Sequence, residues 1–246
     1  GRHGPLNVVG GIANSCNYFV AEVAHRLSTN KDTLIYSTDM GIGKLREYAS
    51  MFGLNRPSGI EIPESMPEMT TEDPERSAMG QGTNSYSNVQ LSRYVAAIAN
   101  RGTVFDLSLL DKMTDSEGNL IQDYTPEVTG HVEIADSTWD AVQQGMRGVV
   151  ADGSAKKIFQ NLEVDIAGKT GTAQEIRTRG NHAFFISYGP YTNPEICVTV
   201  NIPYGYAGTN AATLGKKVYE YYYGYTTLEQ VLGSGASSVS NVTVGD

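Results

Sequence analysis

A lysine followed by two threonines lies in a strand-like stretch, residues 166–174, where the sequence reads Lys169-Thr170-Gly171-Thr172. An ammonium beside hydroxyl groups on an exposed strand can hold a carboxylate, and the free backbone groups of such a strand can pair with an extended peptide. The glycine keeps the inner face clear for a substrate. Because all three residue types are common, a surface Lys-Thr turn is the alternative interpretation.

A serine and an asparagine two residues apart, Ser15 and Asn17, lie near the N-terminus at the predicted start of the first helix. A serine hydroxyl and an asparagine amide that point into a cleft can relay a proton and bind a peptide carbonyl. Helix capping explains the same pair, and Ser28-Thr29-Asn30 has the same pattern. The pair alone therefore carries little weight.

Other binding and catalytic patterns are missing from the sequence. Gly41-Ile42-Gly43 lacks the third glycine of a dinucleotide fingerprint, and Gly168-Lys169-Thr170 lacks the leading glycine of a phosphate-binding loop. Neither the four histidines nor the two cysteines have metal-binding spacing, and whether Cys16 and Cys197 are free stays open. The net charge of −9 repels phosphate backbones, so we expect no nucleic-acid partner.

Hydrophobic periodicity and turn signals predict the elements that must position these residues. Capping-box patterns begin two of the helices, at Ser87 with Gln90 and at Ser137 with Asp140. No composition break requires a second domain. Helices are predicted for about residues 15–27, 42–52, 87–100, 137–153 and from 209 onward, and strands for 103–106, 109–115, 120–121, 166–174, 182–188 and 195–202.

In this order and context, the two weak motifs resemble those of a known family. The chain is similar to the transpeptidase domain of a monofunctional, class B penicillin-binding protein, from Gly10 to about Tyr222. Residues 10–17 resemble that family's second motif, and residues 167–174 resemble its third. Further similar stretches are Ser58–Pro63, Met79-Gly80-Gln81-Gly82, Ala96–Gly102, residues 145–150 and His182–Phe185.

The resemblance implies an α/β (α+β) three-layer sandwich, in which helices cover an antiparallel sheet and the cleft lies between the Lys169 strand and an all-helical region. The family's first two strands would lie upstream, so we expect a three-stranded sheet with one uncovered edge. Residues 1–233 would form the C-terminal part of the transpeptidase domain. Residues 234–246, which lack Lys, Arg and aromatic side chains, are predicted to be a disordered tail.

By resemblance, the parent enzyme is a serine D,D-transpeptidase that cross-links peptidoglycan stem peptides and binds β-lactams at the same site, without a metal or organic cofactor. Ser15 would relay a proton to the leaving group, Asn17 would orient the peptide, and Lys169 would supply positive potential. Thr170 and Thr172 would bind the terminal carboxylate, with the Thr172 N–H in the oxyanion hole. The implied catalytic residues are Ser15, Asn17 and Lys169, and the implied substrate-binding residues are Thr170, Gly171 and Thr172.

The family's nucleophilic serine is missing from this chain. It belongs to a Ser-x-x-Lys motif several dozen residues before the Ser-x-Asn motif, whereas fourteen residues precede Ser15. Ser28 with Lys31 and Ser154 with Lys157 match the string, and we interpret both as chance matches on helix surfaces. We therefore expect the nucleophile upstream, and no covalent β-lactam adduct on the chain as given.

Several alternatives and expectations accompany this resemblance. Two alternative functions stay open. One is a D,D-carboxypeptidase or β-lactamase, in which water replaces the acceptor amine. The other is a non-catalytic penicillin-binding sensor or scaffold. The family implies the extracytoplasmic face of the bacterial membrane, an anchor upstream, and the elongation or division machinery as partner. We expect the Ser15 and Lys169 side-chain heads to lie within one hydrogen bond or one bridging water. We also expect Thr172→Val to slow β-lactam acylation without altering thermal stability.

Overall fold

The central sheet consists of three antiparallel strands in a computed structural model that describes residues 3–233. The strands of these residues are β1 (Thr103–Asp106), β2 (Lys112–Thr114), β3 (Leu120–Asp123), β4 (Glu127–His131), β5 (Ala167–Ala173), β6 (His182–Gly189) and β7 (Ile196–Ile202). The helices are α1 (Val8–Ala13), α2 (Asn17–Leu27), α3 (Thr38–Met51), α4 (Pro74–Ala78), α5 (Asn88–Ala99), α6 (Asp136–Ala151), α7 (Lys156–Phe159), α8 (Gly208–Tyr222) and α9 (Leu228–Leu232). The sheet order is β5-β6-β7, and β1 with β4 and β2 with β3 form separate two-stranded ribbons.

Helices cover the sheet on both faces, which confirms the predicted three-layer fold. Phe185 and Val200 pack with buried Tyr219 of α8 on one face, whereas Tyr188 packs with residues of α5 and α6, including Ile98, on the other. Paired residues of neighbouring strands share a face. Both faces of the sheet are therefore buried beneath helices.

The strand register decides which face each motif residue occupies. Thr170 pairs with Phe185, and Lys169 pairs with Ile186. Successive residues of a strand point to opposite faces. Thr170 and Thr172 therefore lie on the α8 face, whereas Lys169 lies on the face toward the helical region.

Polar contacts hold the long proline-containing segment between α3 and α5 against the helical region. The predicted capping box is confirmed, because the Ser87 hydroxyl accepts from the Gln90 N–H and the Gln90 side chain accepts from the Ser87 N–H. In the middle of α5, buried Arg93 donates to the carbonyl oxygens of Gly53 and Pro57. A buried guanidinium without such partners would cost several kcal/mol, on the order of the penalty for an unpaired charge. The segment therefore follows α5 closely.

Helix α1 packs closely on α6 at two glycines. A Cβ on Gly145 would lie 2.7 Å from the Ile12 Cβ, and a Cβ on Gly148 would lie 2.8 Å from the Ala13 Cβ. No side chain larger than hydrogen fits at these points without a shift of α1. The two glycines thus fix the height of α1 above α6, and with it the turn that follows α1.

Some predicted boundaries are wrong. The Ser137 and Asp140 capping box does not exist, because α6 begins at Asp136 after Ala135 and has no side-chain cap. Helix α3 begins at Thr38 rather than near residue 42, since the Ser37 hydroxyl accepts from the N–H of Met40. Strand β4 and the short helix α9 were not predicted, and β2 is shorter than the predicted strand over residues 109–115.

The two outer strands of the sheet, β5 and β7, each have a single strand neighbour within residues 3–233. We expected one uncovered edge, whereas both outer edges of the sheet lack a strand neighbour among these residues. The outer edge of β5 borders the site described below. Among the helices of these residues, none has the length and apolar character needed to cross a membrane. The predicted disordered tail, 234–246, lies outside the described residues.

Candidate active site

Ser15 lies in the turn between α1 and α2, in a left-handed backbone conformation with φ 49°. The turn is held by hydrogen bonds from the Ser15 N–H to the Ile12 carbonyl and from the Cys16 N–H to the Gly11 carbonyl. A left-handed serine costs about 1–2 kcal/mol, so the surrounding packing fixes this conformation. Ser15 does not cap α2, because the cap residue is Cys16 and it makes no side-chain capping bond. The capping explanation of the Ser-x-Asn pair is therefore wrong for Ser15.

The ammonium of Lys169 bridges the two motifs. Its Nζ donates to the Ser15 Oγ at 2.7 Å and to the Thr170 carbonyl oxygen at 2.8 Å, although 154 positions separate Lys169 from Ser15. The predicted convergence of Ser15 and Lys169 is confirmed. Burial lowers the pKa of Lys169 from its ordinary value. Within the described residues no carboxylate forms a salt bridge with it, so its positive charge is available to an anionic ligand.

The hydroxyls of Thr170 and Thr172 lie on one face of β5, and each contacts a neighbouring element. The Thr172 Oγ1 accepts from the backbone N–H of Gly208 at 3.0 Å, at the start of α8. The Thr170 Oγ1 lies 3.1 Å from the Ser154 Oγ, in the turn between α6 and α7. Two oriented hydroxyls on one strand can bind the two oxygens of a carboxylate.

The outer edge of β5 presents backbone groups to the cleft. Alternate residues of an antiparallel strand turn their N–H and C=O groups away from the neighbouring strand. The carbonyl oxygen of Thr170 accepts from Lys169, and that of Thr172 accepts from the Gln81 Nε2 at 3.4 Å, so both carbonyls lie on the outer edge. The N–H of Thr172 belongs to the same edge and can donate to a ligand in the cleft.

A cleft of about 440 Å³ lies along this edge. One wall is β5 with Phe184 and Ile186, and the other comes from the helical region, including Leu45, Met79 and Tyr94. A methyl group at Gly171 would come within 3.2 Å of the Phe184 Cβ, so the glycine keeps this wall open. The cleft combines an apolar surface with a small number of polar groups, as ligand sites do.

Asn17 is the one predicted site residue that the structure does not bring into this network. It begins α2 and is exposed, and its side chain has no hydrogen-bond partner within residues 3–233. The other five predicted residues, Ser15, Lys169, Thr170, Gly171 and Thr172, lie together at the outer edge of β5.

The two serines of the chance Ser-x-x-Lys matches do not lie on helix surfaces, so this part of the sequence interpretation is wrong. Ser28 is buried at the C-terminal end of α2 and donates to the Ala24 carbonyl. Ser154 is exposed in a turn, and its hydroxyl contacts Thr170 rather than Lys157. Neither serine has a hydrogen-bonded lysine among the described residues, which agrees with their dismissal as nucleophiles.

Sequence reasoning missed three contacts of the site. Ser154, Gln81 and Gly208 come from turns and a helix start that are far from β5 in sequence. In the sequence, Gln81 stands out only as part of the Met79–Gly82 stretch, and no local pattern links Gly208 to Thr172. Within residues 3–233 no cluster of His, Cys, Asp and Glu side chains is placed to hold a metal ion.

The fold and the site together define a domain in which a lysine and a serine are in contact beside an edge strand that carries two threonine hydroxyls. Residues 1–220 match the family described as the penicillin binding protein transpeptidase domain, and the chain belongs to this family. The peptidoglycan D,D-transpeptidase MrdA of Haemophilus influenzae is 29% identical over 243 residues, which cover 80% of this chain and 35% of that protein.

Solved structures agree with this assignment. Penicillin-binding protein 2B from Streptococcus pneumoniae has a TM-score of 0.75 at 25% identity, over 91% of this chain and 40% of that one. A chain of a peptidoglycan synthase complex has a TM-score of 0.74 at 25% identity, over 92% and 39%. The relatives confirm the resemblance to class B penicillin-binding proteins. This chain spans about a third of the length of the curated relatives it matches.

Proposed function

We propose that the protein to which this chain belongs is a D,D-transpeptidase that cross-links peptidoglycan stem peptides by serine acyl transfer and is inhibited by β-lactams. The observation that carries the proposal is the 2.7 Å hydrogen bond from Lys169 to Ser15 at an edge strand with two oriented threonine hydroxyls. The relatives named as D,D-transpeptidases support the reaction type. The nucleophilic serine is proposed to lie upstream of residue 1.

The described residues account for recognition and for one proton transfer. The terminal carboxylate of a D-alanyl-D-alanine peptide lies against the hydroxyls of Thr170 and Thr172, and the nearby Lys169 charge favours it. As the upstream serine Oγ attacks the penultimate carbonyl, negative charge forms on the carbonyl oxygen, and the Thr172 N–H donates to it. The serine's own proton passes through Ser15 to the nitrogen of the leaving D-alanine. The Lys169 ammonium holds the Ser15 oxygen in place for this transfer.

In the second half of the reaction the acceptor amine takes the place of the departed D-alanine amine. An acceptor amine from a second stem peptide attacks the acyl-enzyme ester, loses a proton through Ser15, and releases the upstream serine. The same site would accept a β-lactam, because its carboxylate and its strained amide occupy the positions of the peptide's carboxylate and amide. Asn17 is proposed to orient the peptide backbone once a ligand is bound.

Location and partners belong to the same proposal. We infer an extracytoplasmic position at the bacterial membrane, with the anchor upstream, because the stem-peptide substrate is assembled into the wall there. A solved relative described as part of a peptidoglycan synthase complex supports an association with cell-wall elongation or division machinery. A carboxypeptidase or β-lactamase would use the same residues with water as the acceptor.

Intact-mass spectrometry after incubation with benzylpenicillin tests the proposal. The full-length protein is expected to gain one penicilloyl group, mapped by proteolysis to an upstream Ser-x-x-Lys serine, whereas residues 1–246 alone gain none. Chromatography of muropeptides made from a stem-peptide substrate then separates cross-linked dimers from simple loss of D-alanine. An adduct on Ser28 or Ser154, or no adduct on the full-length protein, would contradict the proposal.

A further inference from the structure

We propose that Ser154 is a positioning residue that orients the Thr170 hydroxyl as a hydrogen-bond donor toward the carboxylate of the ligand. The proposal rests on the proposed function and extends it to a residue outside the Ser-x-Asn and Lys-Thr-Gly motifs. Ser154 lies sixteen positions before Thr170, and its Oγ is 3.1 Å from the Thr170 Oγ1. Either oxygen can be the donor in this pair, so the direction of the bond has to be argued from the surroundings.

The turn that carries Ser154 is held rigidly by its backbone. The N–H of Gly153 donates to the Gly148 carbonyl at 2.8 Å, and the N–H of Ala155 donates to the Val149 carbonyl at 3.1 Å. Ala155 is fully buried in the core beneath α8. A Cβ on Gly153 would lie 2.7 Å from the carbonyl oxygen of Ala13, so the same turn also touches the end of α1. The Ser154 hydroxyl is therefore presented to Thr170 from a fixed support.

The neighbouring threonine shows how the direction of the bond matters. The Thr172 Oγ1 accepts from the backbone N–H of Gly208, which can only donate. The proton of the Thr172 hydroxyl is consequently left for another acceptor. Because a hydroxyl has one proton, a threonine that donates to protein has none left for a carboxylate.

The Ser154 hydroxyl has the same role for Thr170 as the Gly208 N–H has for Thr172, which is to donate a hydrogen bond to the threonine Oγ1. When the Ser154 hydroxyl donates to Thr170, the proton of Thr170 points away from Ser154 and is left for a ligand. Thr170 and Thr172 then both present a hydroxyl donor on the same face of the strand. The Thr170 hydroxyl accepts from Ser154, and the Thr172 hydroxyl accepts from the Gly208 N–H. A carboxylate has two acceptor oxygens, which matches this pair of donors.

The test compares acylation of the full-length protein by benzylpenicillin and by its methyl ester, which lacks the free carboxylate. Ser154→Ala is expected to slow acylation by benzylpenicillin about three- to tenfold, the effect of one lost hydrogen bond, and to leave the rate with the ester unchanged. Ser154→Thr keeps the hydroxyl and is expected to restore the rate. Ser116→Ala changes an exposed serine in the turn between β2 and β3 and serves as the control.

The outcomes separate the proposal from the proposed function. A rate with benzylpenicillin that is unchanged in Ser154→Ala, or equal losses with acid and ester, would overturn the positioning role of Ser154. Failure of Ser154→Thr to restore the rate, at a melting temperature equal to that of the unsubstituted protein, would overturn it as well. If the unsubstituted protein reacts with neither compound, the proposed function itself fails, and the role of Ser154 fails with it.

Discussion

The close packing of α1 on α6 gives a quantitative test of how Ser15 is positioned. In Gly148→Ala the new Cβ would lie 2.8 Å from the Ala13 Cβ, whereas carbon atoms in contact prefer about 3.5–4.0 Å. Helix α1 must therefore move away from α6 by about 1 Å. Ser15 follows Ala13 by two residues, so its Oγ moves with α1. The Oγ to Nζ distance of 2.7 Å to Lys169 would then exceed hydrogen-bond range.

Stability and function respond differently to this substitution. Overpacking costs about 1–3 kcal/mol, and alanine gains about 1 kcal/mol over glycine within a helix, so the domain stays folded with a modestly lowered melting temperature. A hydrogen bond to a charged group contributes about 1.5–3 kcal/mol. If the Ser15 to Lys169 bond is needed for proton transfer, acylation slows roughly tenfold to a hundredfold in Gly148→Ala.

The assay is the second-order acylation rate of the full-length protein with a fluorescent penicillin, combined with thermal unfolding. Gly43→Ala is a matched control, because Gly43 lies within α3 and a Cβ there meets no atom within 4 Å. It is expected to stabilise the domain by up to about 1 kcal/mol without changing the acylation rate. Equal rates in Gly148→Ala and Gly43→Ala would refute the argument that α1 packing positions Ser15.

The remaining predictions concern the threonine, the lysine and the two cysteines. Thr172→Val is expected to slow acylation tenfold or more, roughly. Because the Thr172 hydroxyl also accepts from the Gly208 N–H, the structure replaces the expectation of unchanged stability with a loss of about 1 kcal/mol in the free energy of unfolding. Both effects should be absent in Thr172→Ser. Lys169→Met should abolish acylation yet raise thermal stability, because it removes a partly buried charge that has no counter-ion within residues 3–233. Burial lowers the folded-state pKa of Lys169, so the stability of the unsubstituted protein rises with pH from that pKa up to about 10.5, and the advantage of the Met variant shrinks over the same range. The two thiols are expected to react unequally, because burial raises the pKa of Cys197 to about 12. Iodoacetamide at about pH 8.5 should alkylate Cys16 and spare Cys197, which peptide mapping measures. Equal labelling of both would contradict the burial of Cys197.

The sequence predicted the strands of the sheet because their residue pattern is local information. In β7, Ile196, Val198, Val200 and Ile202 alternate with more polar residues, and this pattern is visible without any knowledge of pairing. Strand β4 was missed because most of its residues are exposed, and only its pairing with β1 defines it. The hydrophobic pattern of a sequence therefore predicts a strand only where burial of that strand selects apolar residues.

The turn at Ser15 and the contacts of the two threonines depend on tertiary structure. A helix was expected to begin near Ser15, but Asn7 caps a separate helix, α1, that ends at Ala13, just before the turn that holds Ser15. The contacts of Ser154 and Gly208 with the strand arise only when α6, α7 and α8 pack around it. Contacts between segments distant in sequence leave no periodic signal, so these supporting residues could not be predicted.

A crystal structure of the full-length protein acylated by benzylpenicillin tests the central claim most directly, namely that the outer edge of β5 recognises the ligand carboxylate beside the Ser15 and Lys169 pair. We expect an ester bond to an upstream serine, the penicillin carboxylate within hydrogen-bond distance of the Thr170 and Thr172 hydroxyls, and Ser15 still in contact with Lys169. A carboxylate held elsewhere, or an acylated serine on the far side of the domain from Lys169, would contradict it.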